Sequence, residues 1–358
     1  MFPVERAYTG KAIDKNYVQE RAKWERLYEA TQTKGDSEAH PYLSPNDEFA
    51  DFETWDKANL DASQAKTKEM LEFEYARSAL KNGLALEAKL GTNPYKFGMI
   101  GSSDAHTGLA AMEEENFFGK TYAQEPSTER MFTKFMDNPK IGATIYDWEI
   151  CSAGYAAVWA QENTRASIWD AMHRRETYAT TGTRMAVRFF GGWDFEEADA
   201  ASRNPAVVGY NKGVPMGADL LEGAQGKSPT FLVAALKDPI GANLDRIQIV
   251  KGWLDADDKP QEKVYDVVWG GDRRAGSDGK LPPVGSTVDV KNATWTNTIG
   301  ATELIKVWKD PNFDASQRAF YYARVLEIPT PRWTAHDAKR FGIEAPKDAR
   351  LTLQERAY

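Results

Sequence analysis

The residues best suited to chemistry are Asp104 and His106, which directly follow the short apolar segment 97–100. The segment is brief and is bounded by glycine and polar residues, a pattern that predicts a buried strand. Side chains two residues apart on an extended chain point to the same face, so we expect the carboxylate and the imidazole to lie side by side. Together they offer an oxygen and a nitrogen ligand to a divalent metal ion.

A second interpretation stays open, in which Asp104 caps a following helical turn and His106 lies on the surface. The three residues before the aspartate, Gly101, Ser102 and Ser103, are small. Small residues let a ligand or a metal ion approach the backbone closely. This composition favours the metal site over the helix cap.

Further candidate residues lie near the start of the chain. Apolar and polar residues alternate over residues 24–32, a pattern that predicts a strand with Glu29 near its end. The polar loop 34–41 that follows contains Glu38 and His40, again two residues apart. We take Lys34 and Glu38 as candidate substrate-binding residues, although acidic loops are usually only solvated.

A second concentration of polar residues spans 174–184 and includes Arg174 and Arg184. Guanidinium groups and backbone N–H groups bind oxyanions well, so these two arginines are candidates to hold an anionic substrate. A helix C-terminus with basic residues, followed by a loop, explains the same pattern. The consecutive glutamates at 113–115 predict a solvated face without a catalytic role.

The composition limits the possible partners and metal ligands. The 358 residues include 53 acidic and 45 basic side chains, a net charge of -8, which does not favour nucleic acid. No apolar run is long enough to cross a bilayer, and the first residues do not form a signal peptide. We therefore expect a soluble protein of the cytoplasm or the periplasm. Because Cys151 is the one cysteine, any metal must be held by histidines and carboxylates.

The order of elements predicts two regions and a tail. A helix over 63–91 followed by the strand at 97 is a β/α succession, with the chemistry at the carboxyl end of a strand. A further helix is predicted over 127–136. From residue 186 onward, short alternating segments separated by Gly, Pro and Asp turns predict an antiparallel sandwich. We expect regions at 1–185 and 186–333, with a polar tail at 334–358 on the surface.

The segment from Gly101 to His106 resembles the late metal-binding motif of the PHP (polymerase and histidinol phosphatase) superfamily of metal-dependent hydrolases. The similarity extends to a bacterial family of unknown function within that superfamily and covers nearly the whole chain. It is carried by four more segments: 34–41, 114–120, 176–182 and 320–331.

The resemblance implies a distorted seven-stranded β/α barrel with two or three divalent ions, Mn, Fe or Zn, that hydrolyses phosphoesters. Asp104 and His106 would be the last ligand pair, Glu29 a bridging carboxylate and His40 a further ligand. The H-x-H pair that opens such proteins is absent from this chain. The resemblance therefore implies a partial PHP-like barrel followed by a sandwich-like domain, with an oligomer or an upstream segment completing the site.

These expectations make the chain a metal-dependent hydrolase of a small anionic phosphoester, with Asp104 and His106 as catalytic residues. Two alternatives stay open. In the first, the protein is still a metal-dependent hydrolase, but the bond that it cleaves belongs to a sulfate ester, an amide or a lactone. The other is a non-catalytic protein that binds a carbohydrate or a partner through tryptophans of the β-rich region, namely Trp193, Trp253, Trp269, Trp295 and Trp308.

Overall fold

The computed structural model describes residues 1–221, 223, 226–277 and 279–358. Six α-helices are formed by these residues: α1 Lys15–Trp24, α2 Lys68–Leu71, α3 Ala76–Leu90, α4 Arg165–His173, α5 Pro205–Lys212 and α6 Trp333–Phe341. Short 3₁₀ turns lie at Glu114–Asn116, Tyr122–Gln124, Arg130–Phe132, Asp147–Glu149 and Glu197–Ala201.

Seventeen strands alternate with these helices in the described residues. The strands of the first half are β1 Leu27–Gln32, β2 Gly35–Asp36, β3 Gly98–Gly101, β4 Lys134–Asn138, β5 Ala143–Tyr146, β6 Tyr155–Val158 and β7 Thr177–Thr180. Those of the second half are β8 Ala186–Gly192, β9 Gly213–Pro215, β10 Thr230–Leu236, β11 Leu244–Leu254, β12 Pro260–Trp269, β13 Glu303–Lys309, β14 Ala319–Glu327, β15 Thr330–Pro331, β16 Thr352–Leu353 and β17 Arg356–Ala357.

The longest helix, α3, has local signals at its end and an apolar face. It stops at Gly91, which has φ 80° and so takes the left-handed conformation that glycine tolerates at helix C-termini. Its buried side chains include Ala79, Leu84 and Leu86. This face packs on β1 and β3 and on the central sheet, so α3 fixes the position of the strands that lead to the candidate residues.

The six-stranded antiparallel sheet, in the order β12-β11-β14-β17-β7-β6, is the centre of the molecule. Ile249 and Val325 are buried on one of its faces against Phe189 and Phe231 of the four-stranded sheet β13-β10-β8-β9. Val250 belongs to the second core, which includes α3 and the three-stranded sheet β2-β1-β3. Strands β1 and β3, which carry Glu29 and lead to Asp104, therefore lie on one face of the central sheet. The four-stranded sheet lies on the opposite face.

The sheet-rich second half confirms the strands predicted there. Strands β8, β10, β11, β12, β13 and β14 overlap the alternating segments 185–190, 230–236, 247–253, 263–269, 304–308 and 320–326. The helix predicted over 127–136 is wrong, because this stretch forms the turn Arg130–Phe132 and strand β4. The helix predicted over 63–91 is shorter and divided into α2 and α3.

The first half is a mixture of helices and small sheets and does not confirm the predicted partial barrel. Among the described strands, β1 and β3 form the parallel pair and the other pairings are antiparallel, and no sheet closes into a barrel. The central sheet also takes β6 and β7 from before residue 186 and β17 from the expected tail. Ala357 and Tyr358 are buried, so the end of this chain is part of the core.

The lengths and compositions of the helices show whether one of them could span a membrane. Within the described residues, none of them combines the length and the apolar character that crossing a bilayer requires.

Candidate functional site

The candidate site begins where the parallel strands β1 and β3 end side by side. Their register places Glu29 opposite Ile100, and the Ser102 N–H donates to Thr31 O at 3.0 Å just beyond the strand. The Ser102 hydroxyl donates to the Glu29 carboxylate, which also accepts from Gln32 Nε2 at 2.9 Å. The structure thus brings Glu29 to the segment that leads to Asp104.

The small residues before Asp104 serve the packing of backbones. A Cβ at Gly101 would lie 2.6 Å from Thr180 O and 2.9 Å from Tyr155 O, because β3 crosses closely over β7 and β6. The expectation that Gly101 leaves room for a ligand is therefore replaced by a steric requirement of the fold.

Asp104 lies at the centre of a compact charged cluster, which we call the Asp104 cluster and define as Lys34, Asp104, His106 and Lys120. Both lysine ammonium groups contact the Asp104 carboxylate, and His106 Nε2 lies 3.2 Å from Asp104 Oδ1. The His106 side chain is 60% exposed, whereas that of Asp104 is 16% exposed. The cluster is therefore a shielded carboxylate covered by an imidazole that faces solvent.

The backbone at Asp104 is unusual as well. Its φ of 49° is in the left-handed region, which non-glycine residues rarely adopt. The strained conformation is held by contacts of neighbouring residues, since Thr33 Oγ1 donates to Ser103 O and the His106 N–H donates to Lys120 O at 2.7 Å. Strain of this kind is more frequent at functional sites than elsewhere.

The charges of the cluster shift the pKa values of two members. Burial disfavours the Asp104 carboxylate, but hydrogen bonds from Lys120 and Lys34 outweigh it and lower the pKa of Asp104. Burial also lowers the pKa of Lys120, and the nearby Lys34 ammonium acts in the same direction. Two ammonium groups around one carboxylate leave the cluster with a net positive charge, which attracts anions.

The structure places His40 and Glu38 in other surroundings. The Nε2 atom of His40 lies 3.3 Å from Asp56 Oδ2, and its Nδ1 atom accepts a hydrogen bond from the Tyr42 N–H. Both ring nitrogens therefore have protein contacts. Glu38 is buried and accepts hydrogen bonds from Arg77 and Arg324. The roles expected for these two residues in ligation and substrate binding stay predictions.

The two candidate arginines contact groups other than the members of the Asp104 cluster. Arg184 is 61% exposed and donates to Glu113 Oε1 at 3.1 Å and to Tyr155 Oη at 3.2 Å. Arg174 donates to Glu176 Oε2 at 2.9 Å and to Trp159 O at 2.8 Å, so its guanidinium is already held by protein groups. Of the two, Arg184 has the exposure that substrate binding requires.

Two residues of the site region were missed by reasoning from the sequence. Lys120 lies in the segment 114–120 that carries part of the resemblance, but no spacing rule links it to Asp104. Glu114 was expected on a solvated face, yet its carboxylate accepts from the Ser152 hydroxyl and from the Trp333 N–H. A long-range contact across 38 or 219 residues leaves no periodic signal in the sequence.

The side chains around Asp104 supply few ligands for a metal cluster. In the part of the chain that the structure describes, no three His, Cys, Asp or Glu side chains come together in a way that could hold a metal ion. Asp104 and His106 supply two ligands, whereas catalytic zinc sites typically use three protein ligands. With lysine ammonium groups on the Asp104 carboxylate, the described residues do not fit the two- or three-metal cluster that the resemblance implies.

The family model described as "Protein of unknown function (DUF3604)" matches residues 1–358. The chain therefore belongs to this family, and the match covers the whole of the sequence given. No curated protein and no solved structure matches the chain.

Proposed function

We propose that the chain hydrolyses phosphoesters at the Asp104 cluster. The observation that carries the proposal is the convergence of two lysine ammonium groups and one exposed imidazole on a single shielded carboxylate. The resemblance of the segment from Gly101 to His106 to the PHP metal-binding motif supports the same class of reaction.

The positive charge of the cluster favours an anionic substrate. Lys34 and Lys120 together carry two positive charges against one on Asp104, so a phosphoryl group that approaches His106 meets net attraction. Ammonium groups held in place also stabilise the charge that develops on phosphoryl oxygens during hydrolysis. The exposed Arg184 is a further candidate for this role.

The imidazole supplies the base in this proposal. His106 Nε2 lies 3.2 Å from Asp104 Oδ1, a distance at which the carboxylate orients the ring and leaves the other ring nitrogen free to act as a base. The nitrogen that does not face Asp104 then takes a proton from a water that attacks the phosphorus. The leaving alcohol takes a proton from solvent or from Lys120, which completes the hydrolysis.

The metal-dependent form of the hypothesis, with Mn, Fe or Zn, stays a separate proposal. A divalent ion bound to Asp104 and His106 would supply an activated water. Metal analysis of the purified protein tests this form, with His106→Ala as the comparison. Equal metal content in the two proteins would remove Asp104 and His106 from any metal site.

The hydrolase proposal is tested with p-nitrophenyl phosphate, bis(p-nitrophenyl) phosphate and p-nitrophenyl sulfate as substrates. We expect hydrolysis of a phosphate substrate, and a loss of about 100-fold or more in kcat in the His106→Ala variant, the usual effect of removing a general base. The matched control is His173→Ala, because His173 is exposed at the end of α4 and stacks on Trp169 instead. Equal rates in the two variants would contradict the proposal, and hydrolysis of the sulfate alone would favour the sulfate-ester alternative.

A further inference from the structure

A cavity of about 640 Å³ lies between α3, the start of β3 and the two large sheets. Its lining is largely apolar and includes Leu80, Leu84, Phe97, Phe189 and Phe231. The volume is in the range of about 300–1,000 Å³ that is typical of small-molecule sites. The cavity is lined by Gly98 and Met99 at the beginning of β3, whereas the Asp104 cluster follows the end of that strand.

One basic side chain in the lining has no carboxylate partner. Arg175 donates to Gly217 O at 2.9 Å and to Lys96 O at 3.0 Å, and no carboxylate of the described residues lies within ion-pair distance of its guanidinium, on which Asp219 acts only from longer range. The neighbouring Lys96, in contrast, forms an ion pair with Asp219 at 3.1 Å. A half-buried guanidinium without a paired anion is a binding group for an anion.

One hydroxyl in the lining also lacks a partner. Tyr358 is 5% exposed and its hydroxyl has no hydrogen-bond partner in the structure. The three other tyrosines of the lining donate their hydroxyls, Tyr178 to Met185 O, Tyr321 to Asp310 and Tyr322 to Glu38. An unsatisfied buried hydroxyl carries a cost in free energy, which an oxygen acceptor on a ligand would remove.

We propose that this cavity binds an amphipathic carboxylate, with the apolar body against the aliphatic and aromatic lining and the carboxylate on Arg175. A carboxylate matches the guanidinium in charge and in its planar pair of acceptors. The oxygen atoms of the ligand also provide an acceptor for Tyr358. The chemistry of the lining distinguishes this ligand from the phosphoester proposed for the Asp104 cluster, so each site can be tested without the other.

The test compares decanoate with decanol, which has the same chain but no charge. Binding is measured by isothermal titration calorimetry and by the change in tryptophan fluorescence, since Trp193 lines the cavity. We expect decanoate to bind more tightly than decanol to the parent protein. In Arg175→Gln the affinity for decanoate falls by about tenfold or more, the usual worth of a charged hydrogen bond, while that for decanol is unchanged.

Two further variants keep the test decisive if Arg175→Gln does not fold. Tyr358→Phe removes the hydroxyl alone. It is expected to lower the affinity for decanoate severalfold and to leave the affinity for decanol unchanged. Ala319→Trp, at a half-buried position of the lining, fills the cavity and is expected to abolish binding of both. Equal affinity for decanoate and decanol, no binding of either, or unchanged binding in Ala319→Trp would overturn the proposal.

Discussion

At the scale of single residues, Lys120 shows how a side chain distant in sequence completes a site. Its ammonium group and that of Lys34 share the Asp104 carboxylate, although 86 residues separate the two lysines. In the proposed reaction they bind the anionic group. Their removal should therefore affect substrate affinity more than it affects the folding of the chain.

The Lys120→Met variant is predicted to weaken the binding of inorganic phosphate as a competitive inhibitor by about tenfold, because one of two positive charges at the cluster is lost. Inhibition constants of phosphate for p-nitrophenyl phosphate hydrolysis measure this effect. Lys134→Met is the matched control, since that lysine is exposed and pairs with Asp137. An unchanged inhibition constant in Lys120→Met would show that this lysine does not contact the anion.

At the scale of elements, a buried ion-pair network connects the loop after β2 to the central sheet. Arg324 on β14 donates to Glu38 at 3.0 Å and to Asp47 at 2.6 Å, and Arg77 on α3 binds the same two carboxylates. These side chains are almost fully buried. The arginine charges lower the pKa of both Glu38 and Asp47 despite burial, so the carboxylates stay ionised within the fold.

The Arg324→Met variant is predicted to lower the free energy of unfolding by about 3–5 kcal/mol, because it leaves two buried carboxylates with one arginine between them. Urea denaturation followed by circular dichroism measures the change. The control is Arg350→Met, which removes an exposed pair with Asp51 and should cost under about 1 kcal/mol. Similar losses in the two variants would mean that burial of the network contributes little.

The same network explains why the role of Glu38 was hard to predict. Its position two residues before His40 in a polar loop is compatible with ligation, substrate binding or simple solvation. Which one applies depends on the two arginines, which come from α3 and β14, 39 and 286 residues further along the chain. No local pattern in the loop contains that information.

At the scale of the whole molecule, buried carboxyl groups are held near the contact between the central sheet and the C-terminal segment. Burial raises the pKa of Glu114 to about 7 and that of Glu327 to about 8, and it raises the pKa of Glu355 as well. Glu327 accepts a hydrogen bond from Thr183 Oγ1 at 2.6 Å, and Glu355 accepts one from Thr181. These groups bind protons more tightly in the folded chain than in the unfolded chain.

A group with a raised pKa stabilises the fold most below its unfolded value, and this contribution is lost as the pH rises through the folded value. The urea midpoint is therefore predicted to decrease as the pH rises from about 4.5, the ordinary pKa of a glutamate, to about 8, the raised pKa of Glu327. In Glu327→Gln, which keeps the size but cannot ionise, the decline should be smaller. Glu303→Gln, at an exposed position of β13, should follow the parent protein, and identical pH profiles for all three proteins would contradict the prediction.

The amino-acid sequence by itself determined six strands of the second half, β8 and β10 to β14, and the strand that leads to Asp104. Alternating apolar residues and Gly, Pro or Asp turns act over a few neighbouring positions, and this local chemistry is visible in the chain. It also brought Asp104 and His106 together, because two residues of separation confine them to one short segment.

Only the tertiary structure decided which distant groups surround these residues and how the strands are shared among sheets. The central sheet combines β6, β7 and β17 with three strands from between them, which no composition change at residue 186 could indicate. Lys120 at Asp104, the arginines at Glu38 and the cavity beside Tyr358 likewise arise from chain crossings. Such contacts depend on the packing of whole sheets, and their energies are not encoded in any single segment.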